Sequence, residues 1–405
     1  MDESVLSGGS PDRVTPVAAT ELAPTLPTAN ETTAAPAHRY PLRFTGSGSE
    51  YFRIWIVNLL LTIVTVGIYS AWAKVRKLQY FYRNTRLDEA AFDFHGDPKK
   101  ILLGRIIALA LFVGYNFAFQ LSPAAALVAV AAAIVAAPWL VRRAIQFKHS
   151  NSSYRGLRFG FAGTSADATR ALGPTVALIT LPGALTALTQ LSKNELLPWF
   201  AVLASLALLC LYPLMHFWFK RFHHDNARYA TLAGRFTADW DDFYVVYLPL
   251  VLIFIGWAFM FGLGMALVFG AVGKPGREPN FVQLAAIFAT ALLAYGLLLA
   301  TVAPFMVTRL QNLVWSKTRL GEISFDSRLR MWPIAALYLK NAVLVALTLG
   351  LYWPWAVVAV ARHRLQSVEV ASSIALSELA GQLEAGSMTA TGDAAADVFG
   401  FEIGL

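Results

Sequence analysis

Long apolar stretches alternate with polar, basic stretches along the chain, and the apolar stretches occur in pairs. Six of them are roughly 20 residues or longer, the length at which an α-helix crosses the hydrocarbon layer of a membrane. A segment in lipid must satisfy its own backbone hydrogen bonds, so we expect these stretches to be helices. They form three hairpins with short links: 101–120 with 123–140, 171–191 with 195–219, and 243–272 with 281–308.

Basic residues are divided unequally between the two kinds of link. The short links within hairpins carry only Lys193, Lys274 and Arg277, whereas the links between hairpins carry most of the other lysines and arginines. Cytoplasmic loops of membrane proteins are enriched in Lys and Arg. The imbalance therefore predicts a multi-pass protein whose long links, such as those around Arg142 and Arg319, lie in the cytoplasm.

Two shorter apolar segments, 52–73 and 334–358, flank the three hairpins. Both have basic residues at each end, and a Gly-Ile-Tyr or Gly-Leu-Tyr sequence interrupts each of them. Each segment either spans the membrane or turns back inside it, and its length does not decide between these alternatives. The chain therefore has six or eight spans, and in both cases its two ends lie on the same side.

The two shorter segments also repeat each other, and repeats bear on any proposal of fold. The matched pairs are Asn58/Asn341, Leu61/Leu344, Thr65/Thr348, Gly67/Gly350, Tyr69/Tyr352, Trp72/Trp355 and Ala73/Ala356. Polar residues at membrane depth tend to have hydrogen-bond partners or functional roles. The asparagines, glycines and aromatic residues of these pairs are therefore candidate structural or solute-contacting residues, with a shared structural bond as the favoured role for the asparagines.

Short sequences that alternate aromatic and polar residues end the long links. The examples are Phe92-Asp-Phe94-His-Gly96, Phe159-Gly-Phe161-Ala-Gly163 and, before the first short segment, Leu42-Arg-Phe44-Thr-Gly46. A period of two is typical of β-strands, and strands this short are stable only when paired. The predicted fold class is an all-α polytopic membrane protein: six to eight membrane helices in three hairpins plus two short apolar segments, with short cytoplasmic β-strands between repeats.

The chain divides into three regions by composition. Residues 1–40 are rich in Ala, Thr, Pro and Ser and contain no long apolar stretch, which predicts a disordered N-terminal tail. Residues 41–365 form the predicted transmembrane domain, built from repeats with cytoplasmic strand and turn links. Residues 366–405 predict a cytoplasmic C-terminal helix and a short strand.

The composition and charge agree with a membrane location. Hydrophobic residues make up 57% of the chain and charged residues 14%, compared with about 25% charged residues in soluble domains. The net charge is +8, but the basic residues flank apolar stretches, so we attribute them to the membrane surface and not to nucleic acid. The candidates for contact with anionic lipid head groups are Arg76, Arg142, Arg143 and Arg309.

Catalytic and metal-binding motifs are weak or missing in the sequence. The stretch His223-His224-Asp225, with His216 upstream, offers ligands that suit zinc. Its spacing is not a known ligand pattern, so an ordinary basic helix end is the favoured interpretation. We therefore predict that the chain is not an enzyme and has no catalytic, cofactor-binding or metal-binding residues. The single cysteine, Cys210, excludes an intrachain disulfide.

Several of these motifs together resemble a known family. The sequence from Thr65 to Arg76, Thr-Val-Gly-Ile-Tyr-Ser-Ala-Trp-Ala-Lys-Val-Arg, followed by Asn84-Thr85 and Phe92-x-Phe-His-Gly96, resembles the YjgN-like family of bacterial inner-membrane proteins, a domain of unknown function. The segment from Asp397 to Leu405 is similar to the end of that family, and the resemblance covers about residues 40–405. It implies an inner-membrane location and a multi-pass architecture, and it brings no catalytic residues.

Two functional hypotheses from different classes stay open. Internal repeats, interrupted spans and buried asparagines indicate a transporter or channel-like protein for an unknown solute. The alternative is a non-transporting membrane scaffold or lipid-interacting protein whose cytoplasmic strands dock partners. In both cases the lipid bilayer, including anionic lipids, is the expected partner, nucleic acid is not, and the oligomeric state is open.

Overall fold

A computed structural model describes residues 38–272 and 280–385. The chain divides into two units, Met1–Ala35 and Pro36–Leu405, and the described residues all belong to the second. Most of the predicted disordered tail, the link at 273–279 and the segment after residue 385 lie outside the described residues.

Helices and strands follow one another in a regular order along the described chain. In chain order the elements are β1 His38–Pro41, β2 Arg43–Phe44, α1 Gly48–Val64, α2 Ser70–Arg83, β3 Thr85–Leu87, β4 Ala90–Phe94, α3 Pro98–Leu121, α4 Pro123–Ser150, β5 Ser152–Tyr154, β6 Leu157–Phe161, α5 Ser165–Ser192, α6 Leu197–Asp225, β7 Ala227–Tyr229, β8 Leu232–Phe236, α7 Trp240–Val272, α8 Phe281–Ser316, β9 Thr318–Leu320, β10 Ile323–Ser327, α9 Met331–Leu347, α10 Trp353–Leu365 and β11 Val368–Ser372. A further helix, α11, covers residues 376–385.

The strands form one eleven-stranded antiparallel sheet in the order β1-β11-β10-β9-β8-β7-β6-β5-β4-β3-β2. Its two ends, β1 and β2, are separated in the chain by Leu42 alone, whose N–H donates to the carbonyl of Val368 at 3.1 Å. The sheet therefore closes almost completely into a ring. The predicted all-α fold class is wrong, because this sheet is a principal element of the fold.

The closure of the sheet into a ring explains why the prediction of an all-α fold failed. Each strand has only two to five residues, and a sheet of so few residues per strand is weak when its edges are open. Closing the sheet supplies hydrogen-bonding neighbours on both sides and removes exposed edges. A local sequence pattern of three residues does not reveal such closure.

Five helical hairpins leave the ring, and each lies between two strands that pair with each other. The hairpin α3–α4, for example, starts after β4 and ends before β5, and Phe92 of β4 pairs with Tyr154 of β5. Both ends of every hairpin therefore meet the sheet on the same side. Consecutive hairpins pack against one another, and α10 packs against α1, so the hairpins also form a circle.

The hairpins differ in length. Helices α3 to α8, which contain the six long apolar segments, have 24 to 36 residues. Five helices in the described chain are long and apolar enough to cross a membrane: Pro98–Leu121, Pro123–Ser150, Ser165–Ser192, Leu197–Asp225 and Trp240–Ala266. By contrast, the two shorter apolar segments each contain two helices, α1–α2 and α9–α10, of only 13 to 17 residues.

Side chains fill the interior of the ring. Leu42, Leu87, Val370 and other inward residues form a buried core, against which α11 places Leu376, Leu379 and Leu383. Two tyrosines link neighbouring strands inside this core: the hydroxyl of Tyr154 donates to the carbonyl of Leu87 at 2.7 Å, and that of Tyr229 to the carbonyl of Tyr154 at 2.9 Å. Burial raises the pKa of both tyrosines, so their hydroxyls remain protonated donors at neutral pH.

Candidate functional site

The hairpins α1–α2 and α9–α10, which we call the broken hairpins, have turns of the same construction. The hydroxyl oxygen of Thr65 accepts a hydrogen bond from the N–H of Tyr69 at 2.9 Å, and that of Thr348 accepts one from Tyr352 at the same distance. Gly67 and Gly350 occupy the next part of each turn with φ of 89° and 94°. A φ near 90° strains residues with side chains, which explains the glycine at both positions, whereas the preceding Val66 and Leu349 have φ of 50° and 49°.

The tips of these two turns are apolar and exposed. Val66 is 90% exposed and Leu349 is 95% exposed, and Ile68 and Leu351 beside them are more than half exposed. The turns contain no charged residue. Exposed apolar surfaces of this kind mark contacts with a membrane or with another protein.

Asn58 and Asn341 lie at equivalent places in α1 and α9, and both are buried. The side-chain N–H of Asn341 donates to the carbonyl of Ala356 in α10 at 3.4 Å. This bond joins the two helices of one hairpin and does not reach the turn at Gly350. The side-chain oxygens of both asparagines are buried without a hydrogen-bond partner, so each offers an unused acceptor.

The repeated aromatic residues pack beside the turns. Tyr69 stacks with Trp72, with ring centroids 6.1 Å apart, and Tyr352 stacks with Trp355 at 5.7 Å. Trp355 also stacks on Phe52 of α1 at 4.9 Å. Trp355 thus joins the two broken hairpins, whereas Trp72 contacts residues of its own hairpin.

A groove lies at the base of the first broken hairpin. Its cavity of about 480 Å³ is lined by Arg53, Ile54, Val57, Arg76, Gln79, Tyr80, Arg83 and Asn84. Arg83 forms an ion pair with Asp93 at 2.8 Å, while Arg53 and Arg76 belong to no described ion pair. We call this cavity the arginine groove.

The other three arginines expected to contact lipid head groups lie on different helices. The guanidinium of Arg142 donates to the carbonyl of Gly163 at 2.7 Å. Arg143 lies over the ring of Trp139 and Arg309 over the ring of Phe305, at 5.6 Å and 5.7 Å. The structure therefore does not bring these residues together with Arg76.

The histidines pair with neighbours in the protein. Nε2 of His149 lies 3.0 Å from Nε2 of His223, His224 contacts the hydroxyl of Thr318 at 3.1 Å, and His216 contacts the hydroxyl of Tyr247 at 2.8 Å. Within the described parts of the chain, no group of three or more His, Cys, Asp or Glu side chains is arranged to hold a metal ion.

Four basic side chains form an additional feature that the sequence analysis did not identify as a site. Lys74, Lys148, Lys220 and Arg364 lie on α2, α4, α6 and α10, the second helices of four different hairpins. We call them the axial basic cluster. Two of them share a position in the sequence, since Lys148 and Arg364 each lie four residues before the strand that follows their helix.

Some members of the axial basic cluster interact electrostatically. Lys220 lies close enough to Lys148 and Arg364 for both to repel it, and Lys148 also repels Lys74. Helix α10 packs chiefly against α1 and α9 in the circle of hairpins. Lys74, Lys148 and Arg364 are exposed, and Lys220 is half-buried.

Comparison with known proteins gives a family for the chain. Residues 39–398 match the family described as bacterial protein of unknown function (DUF898). The chain is 29% identical over 125 residues to the inner membrane protein YjgN of Salmonella typhimurium (strain LT2), covering 31% of this chain and 32% of the relative. It is 30% identical over 132 residues to the inner membrane protein YjgN of Escherichia coli (strain K12), covering 31% of each.

The matched stretch thus spans about a third of these relatives. No solved structure matches the chain. The family match covers most of the sequence, and the resemblance found in its motifs is confirmed. With five helices of membrane-crossing length and relatives named inner membrane proteins, the chain is an inner-membrane protein that belongs to the DUF898 family.

Proposed function

We propose that the chain is a multi-pass, transporter-like protein for a small solute, with its ring of strands in the cytoplasm. In this arrangement the hairpins α3–α4, α5–α6 and α7–α8 cross the membrane six times, and the two broken hairpins turn back within it. The parallel copies of strand, helical hairpin and strand form the repeating unit. The basic residues near the ring support the cytoplasmic placement, and the apolar tips support turns inside the membrane.

The observation that carries the proposal is the difference in height between the hairpins. A helix of 28 residues such as α4 is about 42 Å long, and one of 17 residues such as α1 is about 26 Å long. The two broken hairpins are neighbours in the circle, because α10 packs against α1. They therefore end about 16 Å short of α4, and the longer hairpins α3–α4 and α7–α8 flank the pair on either side.

Unused polar atoms lower in the hairpins also support a solute pathway. Buried oxygens of Asn58, Asn341 and Thr308 have no hydrogen-bond partner. An unsatisfied buried polar group destabilises the protein unless a ligand or water binds it. Interrupted helices at membrane depth are also typical of solute sites in transporters.

Transport is tested with the purified chain in proteoliposomes, offered separately a small anion, a small cation and a neutral solute. We expect uptake of at least one solute and a loss of about tenfold in Asn341→Leu, because one polar contact is removed. The matched control is Asn116→Leu, since Asn116 is exposed and bonds only the carbonyl of Phe112 in its own helix. Absence of uptake of every solute by the unmodified chain would overturn the proposal.

A second candidate function, lipid interaction without transport, is favoured by the arginine groove. Arg53 and Arg76 border an apolar cavity formed with Ile54 and Val57. A phospholipid offers an anionic head group and apolar chains that fit such a surface.

Lipid binding is tested by measuring phosphatidylglycerol retained by the purified protein. We expect Arg53→Gln combined with Arg76→Gln to retain several-fold less, and the exposed control Arg158→Gln to retain the normal amount. Equal retention in all three proteins would exclude the arginine groove as a lipid site.

A further inference from the structure

The arginine groove is a cavity that both helices of the first broken hairpin line. Helix α1 contributes Arg53, Ile54 and Val57, and α2 contributes Arg76 and Gln79 among others. We propose that this groove selects a phospholipid with two phosphate groups, of the cardiolipin type. The inference rests on the lipid-binding function given above as the second candidate, and it names the class of lipid.

Two positive charges in the groove have no acidic partner among the described residues. The carboxylate of Asp93 neutralises Arg83, accepting hydrogen bonds from its Nε at 2.8 Å and its Nη2 at 3.5 Å. Arg53 takes part in no described hydrogen bond or ion pair, and Arg76 lies 5.8 Å from the ring of Tyr69. A lipid with one phosphodiester carries one negative charge, so it would neutralise only one of these two guanidiniums.

The acidic residue at the start of α1 does not take the place of a ligand. The carboxylate of Glu50 accepts hydrogen bonds from the N–H of Ser47 at 3.4 Å and from the hydroxyl of Tyr80 at 3.3 Å. It forms no described ion pair with Arg53 or Arg76. Glu50 therefore belongs to the cap of the helix, and the two guanidiniums stay available to an anion.

The placement and size of the groove favour two phosphates over one. Arg53 and Arg76 belong to different helices, and each guanidinium can match two oxygens of a phosphate with parallel N–H groups. The cavity of about 480 Å³ falls in the range of about 300–1,000 Å³ that holds a ligand of drug size, which is more room than a single phosphate group needs. Gln79 also lines it and has no described hydrogen bond, so its amide adds a neutral donor. Two phosphates joined through glycerol fit this set of donors.

An exposed apolar strip continues from the groove along α1 and favours a lipid over a soluble diphosphate. Val57, Leu60 and Val64 follow Arg53 at intervals of three and four residues, so all four share one face of the helix. The three apolar side chains are exposed. A lipid whose phosphate binds Arg53 can lay an acyl chain along this strip, and basic pockets between helices near the cytoplasmic surface are typical sites for cardiolipin head groups.

Lipid selection is measured by competition on the purified full chain. The chain is delipidated in detergent and mixed with cardiolipin, phosphatidylglycerol and phosphatidic acid at equal phosphorus content. The lipids that stay with the protein after gel filtration are then quantified by mass spectrometry. We expect cardiolipin to exceed each of the other two about tenfold, because it makes a second charge-assisted contact.

Single substitutions test whether both arginines are needed. We expect Arg53→Gln and Arg76→Gln each to abolish the preference for cardiolipin over phosphatidylglycerol, because either variant keeps only one unpaired guanidinium. Lys77→Gln is the matched control: Lys77 is the next residue of α2, is exposed and does not line the groove. We expect it to keep the preference.

The possible failures of this inference and of the lipid-binding function are distinguishable. Retention of none of the three lipids would remove the lipid-binding function itself. Equal retention of cardiolipin and phosphatidylglycerol, with less of both in Arg53→Gln, would leave lipid binding in place and overturn the selection of two phosphates. A preference for phosphatidic acid, or an equal loss of selectivity in Lys77→Gln, would also overturn it.

Discussion

At the scale of single residues, the ring depends on close contacts between a phenylalanine and the glycine two positions later. A Cβ atom built on Gly46 would lie 2.9 Å from the ring of Phe44, and one on Gly96 would lie 2.5 Å from the ring of Phe94. The same geometry recurs at Phe161 and Gly163. None of these glycines has a positive φ, so the backbone conformation does not require glycine at these positions. Glycine is required because a Cβ atom would have no space.

The substitution Gly96→Ala tests this contact. The added methyl group must displace the ring of Phe94, which is fully buried, and overpacking of this kind destabilises a protein by about 1–3 kcal/mol. We expect a lower midpoint of thermal unfolding in detergent. Gly104→Ala is the control, because nothing lies within 4 Å of its added atom; equal midpoints for the two variants would contradict the prediction.

The tyrosine hydroxyls inside the ring give a second prediction at this scale. Tyr229→Phe leaves the ring in place but removes a buried hydrogen bond to the carbonyl of Tyr154, at an expected cost of about 1–3 kcal/mol. Tyr40→Phe is a suitable control, since Tyr40 packs on the same core and its hydroxyl has no partner among the described residues. A thermal midpoint that falls equally in both variants would argue that the hydrogen bond contributes nothing.

At the scale of elements, the helices were predictable from the sequence and the pairing of the strands was not. Helices α3 to α8 coincide with long apolar stretches, and each of these can be recognised from its own sequence alone. The strands β4 and β5 pair, yet Phe92 and Tyr154 are separated by an entire hairpin. Their alternating pattern indicated strands, but partners so distant in sequence leave no local signal.

The residues of the candidate site also fall into a part that the sequence predicted and a part that it did not. The repeat made the turns at Gly67 and Gly350 visible, because seven identities recur at one spacing. The axial basic cluster was not apparent, because its four cations come from helices distributed over the whole chain. In the sequence, their charges had already been explained as a mark of cytoplasmic links. The electrostatic interaction between Lys220 and Arg364 becomes apparent only in the folded chain.

The turns of the broken hairpins yield a prediction at the scale of elements. In a Cys210→Ala background, we expect Val66→Cys and Leu349→Cys to resist a water-soluble maleimide from both sides of the membrane, because apolar tips are shielded in hydrocarbon. Glu195→Cys, in the exposed link between α5 and α6, serves as the reactive control. Rapid labelling of Val66→Cys in intact membranes would show that the tip lies in water.

At the scale of the whole molecule, α11 closes the core that all hairpins share. Leu379 is 6% exposed and packs with residues from both ends of the ring, whereas its neighbour Glu378 points to solvent. We expect Leu379→Ala to lower the free energy of unfolding by about 2–5 kcal/mol. Glu378→Ala should leave it nearly unchanged, and chemical unfolding of both variants in detergent measures the difference.

The orientation of the molecule decides which compartment meets the ring and which meets the long hairpins. The exposed Arg158 lies in β6, and Glu195 lies at the far end of the hairpin α5–α6. If the ring is cytoplasmic, an impermeant maleimide added to spheroplasts in a Cys210→Ala background should label Glu195→Cys at once and Arg158→Cys only after permeabilisation. The reverse order would place more than twenty lysines and arginines of the links outside the cell, against the usual distribution of these residues. It would also put the packed face of the ring and α11 in the periplasm.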